Sequence, residues 1–247
     1  IAVNVVNEDN ICMIAGTWSI NDYLCRAPVT DGSVLMHSYS FLPEYYLVEE
    51  CSPTSAGNLE WFITTLLPEL KATAEQNGTS IYSQLDRWVA QTPPEATCPI
   101  FLPFLMASNV HPNAMGCFLG MSNFHAREHL VRSIYEGVAF SHRYHLEKLL
   151  ASKTTPTRAI RLAGGAAKSA VWTQLFADVM NLPVEAVNVN ETGALGCAVI
   201  CAVACGAYPS LAEAAGAMCD MSPPCLPNAR NVAIYEAKYA VYKKAIT

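Results

Sequence analysis

The stretch from Ile160 to Tyr208 constrains the fold of this chain more than any other part of the sequence. A short apolar run enters a double glycine, Gly164-Gly165, and a helical pattern of apolar residues then continues to Pro183. Residues 184–189 alternate apolar and polar side chains, which is typical of a short strand, and a second helix rich in Ala, Gly and Cys follows. This order predicts a strand–turn–helix–strand–helix unit.

The double glycine sits where such a unit can bind an anion. Glycines let a ligand approach the backbone, and the free N–H groups and dipole at a helix start favour phosphate. Gly164-Gly165 therefore indicates an anion or nucleotide site. An ordinary turn that needs one glycine with positive φ has the same local pattern, so the turn alone leaves both interpretations open.

A second glycine turn is expected near the start of the chain. Residues 1–6 and 11–21 are predicted to form two strands of a hairpin, with a turn at residues 7–10. Gly16-Thr17 lies at the end of the second strand, where backbone N–H groups and the Thr17 hydroxyl can hold a phosphate. An ordinary polar strand end is equally consistent with these residues.

The middle of the chain is predicted to be mainly structural. Gly57-Asn58 precedes a helix whose apolar residues between 59 and 70 form one core-facing stripe. Residues 71–97 read as a polar turn, a helix and a Pro-Pro linker with no catalytic signal, and Pro99–Met106 is a strand candidate. Residues 30–110 as a whole are expected to be an insertion around the core.

Two sets of polar residues have the i, i+4 spacing of neighbours on one helix face. His125 and His129 have the i, i+4 spacing of some zinc ligands, but no third ligand is apparent, so a metal site is not predicted. Glu128, Arg132 and Glu136 also follow at i, i+4, which predicts a solvated face of ion pairs.

Composition narrows the class of protein. The 247 residues are 52% hydrophobic with a net charge of −6, enough for a real core and unsuited to a nucleic-acid surface. No apolar run has the length and character of a membrane span, and the start Ile-Ala-Val-Asn shows neither a signal peptide nor an initiating Met, so a fragment or a trimmed product is expected. Ten cysteines without a CxxC pair, three of them on one helix face (Cys197, Cys201, Cys205), predict buried, reduced thiols in a cytoplasmic protein.

Two separate blocks resemble one family. The segments GGAAKS, WTQLFAD, PVE and ETGALGCA together resemble the adenosine-site block of the FGGY family of carbohydrate kinases. A second block satisfies each position of that family's C-terminal signature, with Gly116, Phe118, Gly120, Met121, His129, Leu130, Ser133, Ile134, Tyr135 and Glu136. Gly16-Thr17 matches the family's second phosphate motif, and Trp18 resembles its L-xylulokinase-like branch.

The resemblance implies a fold and an activity. The fold is α/β, one ribonuclease H-like lobe of the actin and hexokinase type, with a mixed sheet flanked by helices. Residues 1–247 would be the C-terminal, nucleotide-binding domain, with the N-terminal sugar-binding domain absent. The implied activity transfers the γ-phosphate of ATP, with Mg²⁺, to a hydroxyl of a ketose; L-xylulose is the first choice, followed by other pentuloses, 3-keto-L-gulonate and polyols.

The resemblance also implies which residues take part. The catalytic Asp of the family would lie just before residue 1, so this chain carries no catalytic residue and is expected to be inactive by itself. The expected nucleotide-binding residues are Gly16, Thr17, Trp18, Gly57, Asn58, Gly164, Gly165, Ala166, Ser169 and Gln174. Expected partners are the sugar, ATP and the N-terminal domain, with a homodimer as a further option.

Two other classes remain open at this point. One is a non-catalytic nucleotide-binding module of the actin-like ATPase superfamily, which the absence of a catalytic base favours. The other is a structural or interaction domain, which leaves both glycine blocks unexplained.

Overall fold

The computed structural model describes residues 1–246. The strands are β1 (Asn10–Ala15), β2 (Ser19–Cys25), β3 (Met36–Tyr39), β4 (Tyr46–Ser52), β5 (Ile100–Leu102), β6 (Cys117–Leu119), β7 (Ala159–Ala163) and β8 (Val184–Ala186). The helices are α1 (Gly57–Leu66), α2 (Pro68–Gln76), α3 (Ile81–Gln91), α4 (Arg127–Ser152), α5 (Ala170–Met180), α6 (Thr192–Ala204), α7 (Leu211–Met218) and α8 (Ala229–Ile246). A 3-10 turn spans Gly165–Lys168 between β7 and α5.

The main sheet is mixed and has the strand order β3-β4-β2-β1-β7-β8. β1 pairs antiparallel with β2 and parallel with β7, so the antiparallel and parallel halves of the sheet meet at β1. β5 and β6 form a separate two-stranded sheet, and β5 packs on α4.

Helices cover both faces of the main sheet. Ile11 and Met13 point from β1 into a large core shared with α1, α3, α4, α5 and α8. Cys12 points to the opposite face, where it packs with Val3 and Val5 and where α6 and α7 also lie. This alternation along β1 gives the mixed sheet flanked by helices that the sequence predicts, and the fold prediction is confirmed.

The predicted hairpin is placed one strand too early. Residues 1–6 form no strand, because Asn4 adopts a left-handed conformation with φ 53° and closes a turn back to Ile1. The hairpin instead joins β1 to β2, and its turn is Gly16-Thr17-Trp18. Gly16-Thr17 therefore lies at the tip of a hairpin at the centre of the sheet.

Two further expectations for the middle of the chain are wrong. Residues 30–110 are not all peripheral, because β4 hydrogen-bonds to β2 along seven residue pairs inside the main sheet. The apolar stripe of residues 59–70 belongs to two helices, since Pro68 lacks an N–H to continue α1 and begins α2 instead. The strands predicted at 99–106 and 184–189 are present but shorter than expected, and the helix predicted within residues 71–97 spans Ile81–Gln91.

The ion pair on α4 is buried, contrary to the expectation of a solvated face. Arg132 and Glu136 are only 4% and 2% exposed, and Arg132 Nε donates to Glu136 Oε1 at 2.8 Å. Lys238 from α8 lies 3.0 Å from both Glu136 carboxylate oxygens. The same i, i+4 spacing that predicts a surface pair here connects α4 to its neighbours in the core.

The cysteines are unpaired, and their burial is mixed. Cys12 is buried as expected, and burial raises the pKa of its thiol. Cys197, Cys201 and Cys205 are exposed, which overturns the expectation for that helix. The opposite face of α6 carries Val199 into a core with α7, so the cysteine face points outward.

Among residues 1–246, none of the helices combines the length and hydropathy that a membrane span requires.

Candidate nucleotide site

The Gly164 turn rests directly on the Gly16 turn. β1 and β7 are parallel neighbours, so their carboxyl ends meet at one edge of the sheet. Gly164 has φ 88°, and a Cβ built there would lie 2.6 Å from Ala15 O and 2.9 Å from Gly16 N. Only glycine fits both the backbone conformation and the close approach.

The start of α1 meets the same place from the other side. A Cβ at Gly57 would stand 3.5 Å from Thr17 Cα, so this helix start lies against the hairpin tip. Three segments that are far apart in the sequence thus converge at Gly16-Thr17.

A buried histidine beneath the hairpin tip holds two of these segments together. His142 on α4 is fully buried, with its Nδ1 2.8 Å from Asn21 Oδ1 and 3.1 Å from Ser19 Oγ. Its Nε2 lies 2.8 Å from Ser55 Oγ, in the loop that leads into α1. Because Asn21 Oδ1 can only accept, Nδ1 carries the proton and Nε2 accepts from Ser55. Burial, with a smaller contribution from His145, lowers the pKa of His142 to about 3, so the ring is neutral.

A cavity of about 410 Å³ opens beside this convergence, between α1, α3, α4 and the start of α5. Ala56 and Leu59 form its apolar wall, and Gly165 borders it with open space where a side chain would be. Tyr135 and Trp172 also line it, with their rings stacked at 4.1 Å between centroids. A cavity of this size with one apolar wall, next to glycine turns, could accommodate a nucleoside whose phosphates extend toward Gly164 and Gly16.

One side of the cavity is polar. Asp86 Oδ1 accepts hydrogen bonds from Ser169 Oγ at 2.8 Å and from Tyr135 OH at 2.9 Å. Tyr82 OH donates to Glu60 Oε2 at 2.5 Å. Burial, then the Glu60 carboxylate, raises the pKa of Tyr82 to about 12, and the Tyr82 hydrogen bond lowers the pKa of Glu60.

A lysine stands at the phosphate end of the cavity. Lys168 is exposed and lines both this cavity and a neighbouring hollow of about 240 Å³ bordered by Gly164 and Thr192. It ends the turn that follows Gly164 and lies close to the N-terminus of α5.

The residues expected at the site separate into two groups. Gly165 and Ser169 line the cavity, and Gly16, Thr17, Gly57 and Gly164 form the adjoining turns. Trp18 is 53% exposed at the hairpin tip and does not border the cavity, and Ala166 is fully buried in the core.

Two of the expected side chains have other partners. Asn58 is buried, and its Nδ2 donates to Thr54 Oγ1 at 2.6 Å and to Ser55 O at 2.7 Å. Gln174 Nε2 donates to Asp178 Oδ1 and Leu226 O at 2.8 and 3.0 Å, on a different side of α5. Neither the Asn58 nor the Gln174 side chain lines the cavity.

Sequence reasoning missed the polar side of the cavity altogether. Tyr82, Ser83 and Asp86 come from α3, in a segment without any catalytic signal. Their spacing puts them on one helix face, which is the only local sign that they act together. The buried His142 also went unnoticed, because nothing near it in the sequence shows its partners.

The two histidines with zinc-like spacing do not form a ligand pair. His125 precedes α4, and its Nδ1 accepts from Ser122 N while its Nε2 lies 2.9 Å from Thr97 O. His129 Nδ1 accepts from Ala126 N. In the described part of the chain, no group of three His, Cys, Asp or Glu side chains could hold a metal ion.

Two solved sugar kinases have the same fold as this chain. The xylulose kinase from Rhodospirillum rubrum superposes with a TM-score of 0.83 at 24% identity, covering 99% of this chain and 48% of that one. Plasmodium falciparum glycerol kinase with ADP superposes with a TM-score of 0.78 at 19% identity, with the same coverage. At these identities the likeness shows the fold, that of one half of a sugar kinase.

Sequence comparison defines the family. The L-xylulose/3-keto-L-gulonate kinase of Escherichia coli strain K12 is 33% identical over 248 residues, covering 100% of this chain and 47% of that protein. A probable L-xylulose kinase of Pasteurella multocida strain Pm70 is 32% identical over 244 residues, covering 98% of this chain and 46% of that protein.

Residues 11–205 match the C-terminal domain of the FGGY family of carbohydrate kinases. This chain belongs to that family, as the two glycine blocks predict, and it spans about half the length of the curated relatives it matches.

Proposed function

We propose that this chain is the nucleotide-binding half of a kinase that transfers the γ-phosphate of ATP to a hydroxyl of a ketose. The observation that carries the proposal is the convergence of the Gly16, Gly57 and Gly164 turns beside a nucleoside-sized cavity. The nucleoside occupies the cavity between Leu59 and Trp172, and the phosphates lie along the glycine turns.

The roles of the residues follow from the chemistry of phosphoryl transfer. That reaction depends mainly on positioning and on neutralising charge on the transferred group. The backbone N–H groups of Thr17 and Gly165 donate to phosphate oxygens, and Lys168 adds positive charge nearby. Mg²⁺ bound together with ATP would supply further positive charge at the phosphates.

The catalytic base and the sugar contacts are proposed to come from an N-terminal half. The curated relatives are about twice as long as this chain, and the acidic residues near its start fit the role poorly. Glu8 accepts from Arg26 N, and the Asp9 carbonyl accepts from Arg158 N at the far end of β1 from the glycine turn.

The outer face of α6 supports a covering partner. Cys197, Cys201 and Cys205 are exposed together with Ile200, which is 46% exposed, so a stripe of small apolar side chains faces outward. An N-terminal half packed here would bury that stripe. We also propose a cytoplasmic location and a homodimer.

The sugar is proposed from the relatives alone. L-xylulose is the first choice because two of the sequence relatives carry that name, and 3-keto-L-gulonate follows because it is in the name of one. Other pentuloses and polyols complete the panel to be tested.

The decisive experiment compares this chain with the full-length protein in a coupled assay of ADP release against that panel. We expect the full-length protein to be active and this chain to bind ADP but show no sugar-dependent turnover. Loss of a positioned base costs about 10²–10⁴-fold in rate, and loss of the facing half removes substrate orientation as well.

Each outcome of that assay has a separate meaning. Sugar-dependent turnover of this chain within tenfold of full length would show that the base lies in residues 1–247, with Asp9 and Glu8 tested first. Nucleotide binding by a full-length protein that phosphorylates no sugar would favour the non-catalytic module of the actin-like superfamily.

A further inference from the structure

Only one of the two carboxylate oxygens of Asp86 accepts hydrogen bonds within the described residues. Its Oδ1 accepts two hydrogen bonds, from Ser169 and Tyr135, while its Oδ2 receives none from residues 1–246. Asp86 is partly exposed and borders the cavity. A carboxylate oxygen left open in a cavity wall is a strong acceptor for a donor on a ligand.

The position of Asp86 points to the base of the nucleotide. Moving away from the hairpin tip, the order of contacts is Gly16 to Gly164, then Gly165, then Ser169 at the start of α5, then Asp86. Asp86 therefore joins the site beyond the glycine turns, through Ser169. The Tyr135 ring, which stacks on Trp172, lies at the same place, since Tyr135 OH donates to Asp86.

We propose that Asp86 Oδ2 accepts a hydrogen bond from the 6-amino group of adenine, which makes Asp86 a specificity-determining residue for adenine over hypoxanthine nucleotides. This inference rests on the proposed function, because it needs a nucleoside in the cavity. Adenine presents a donor at its 6 position and hypoxanthine an acceptor. An acceptor oxygen would repel the 6-oxo group of hypoxanthine and leave both groups without a partner.

In the conservative variant Asp86→Asn, the neighbouring side chains define the orientation of the amide group. Ser169 and Tyr135 both donate to Oδ1, so the amide oxygen of the variant keeps that position and its NH₂ replaces Oδ2. The variant thereby presents a donor where the wild type presents an acceptor, without a change of shape. It should disfavour the 6-amino group and accept the 6-oxo group.

The test is titration calorimetry of ADP, IDP and 2′-deoxy-ADP on the full chain, wild type and Asp86→Asn. We expect the wild type to bind ADP at least tenfold tighter than IDP, and Asp86→Asn to lower that ratio tenfold to a hundredfold. Glu75→Gln, an exposed carboxylate on α2 changed in the same way, is the matched control and should leave the ratio unchanged.

The outcomes separate this inference from the proposed function. Wild type that binds no nucleotide would contradict the proposed function itself. Wild type that binds ADP and IDP equally would overturn the role of Asp86, and this measurement needs no variant to fold. Equal losses for ADP and IDP in Asp86→Asn, or a change confined to 2′-deoxy-ADP, would overturn it too, the latter by assigning the carboxylate to the ribose.

Discussion

Two of the buried polar clusters on helix α4 differ in charge. Toward its N-terminus, Arg132, Glu136 and Lys238 form a charged cluster, with Arg132 also donating to Tyr235 OH at 2.5 Å. About two and a half turns further on, His142 forms a neutral cluster with Ser19, Asn21 and Ser55.

The difference separates scaffold from site. The charged cluster joins α4 to α8 and, through Arg132 to Val89 O at 2.9 Å, to α3, all away from the glycine turns. The neutral cluster joins α4 to the hairpin tip and to the loop before α1. A neutral ring there places no fixed charge under the phosphate turns, whereas a buried charge must be paired to be tolerated.

The largest effect is expected from a variant that breaks the charged cluster. Arg132→Met leaves the backbone acceptors and Tyr235 unpaired, and removing one partner of a buried ion pair costs about 3–5 kcal/mol of unfolding free energy. Urea denaturation measures this, and ADP affinity of the folded fraction should remain. Arg230→Met removes a surface pair with Glu95 and should cost under about 1 kcal/mol. Similar losses in the two variants would refute the buried role.

Acid should weaken the neutral cluster next. The folded-state pKa of His142 is about 3 against an ordinary value of 6.5, so between these pH values only the unfolded chain binds the proton. The contribution of the neutral ring to the free energy of unfolding is fully present above pH 6.5. Below that value it falls by about 1.36 kcal/mol per pH unit, a loss of about 2.7 kcal/mol at pH 4.5. His142→Gln keeps a donor and an acceptor without titrating, so its unfolding free energy should fall less steeply with acid. Parallel curves for wild type and variant would contradict this.

A substitution of Thr17 tests the phosphate turn above the neutral cluster and leaves the charged cluster unchanged. Thr17→Val keeps the shape and removes a hydroxyl, and a hydrogen bond to a charged group is worth about 1.5–3 kcal/mol. We expect turnover of the full-length protein to fall about tenfold to a hundredfold, with an unchanged midpoint of unfolding. Thr73→Val, an exposed threonine on α2, serves as the control. Unchanged kinetics would make Thr17 an ordinary strand end.

The smallest expected effect concerns Gly165. Nothing lies within 4 Å of a Cβ built there, so Gly165→Val should fold normally and project into the space proposed for the nucleotide. Crowding of this kind costs about 1–3 kcal/mol, so ADP should bind about tenfold weaker or worse by calorimetry. Gly216→Val, in equally open space on α7, should bind ADP like the wild type. Equal affinity in both variants would displace the nucleotide from Gly165.

Prediction from the sequence succeeded where the signal is local. The order β7, glycine turn, α5, β8 and α6 follows from hydrophobic periodicity and from Gly164 and Pro183, which act on their immediate neighbours. It failed where one residue overrides its surroundings, as Asn4 does in residues 1–6 and Pro68 does between α1 and α2.

The sequence by itself determined the family, through two glycine blocks whose residue types and spacing suit backbone turns and close helix packing. Only the tertiary structure decided which polar side chains share a site. Asp86 and Ser169 are 83 residues apart and Ser19 and His142 are 123 apart, yet each pair is hydrogen-bonded. A polar residue on an amphipathic helix looks the same in sequence whether it faces solvent, as predicted for Arg132, or a buried partner. The sequence cannot separate the two because packing between distant elements decides which partner the residue meets.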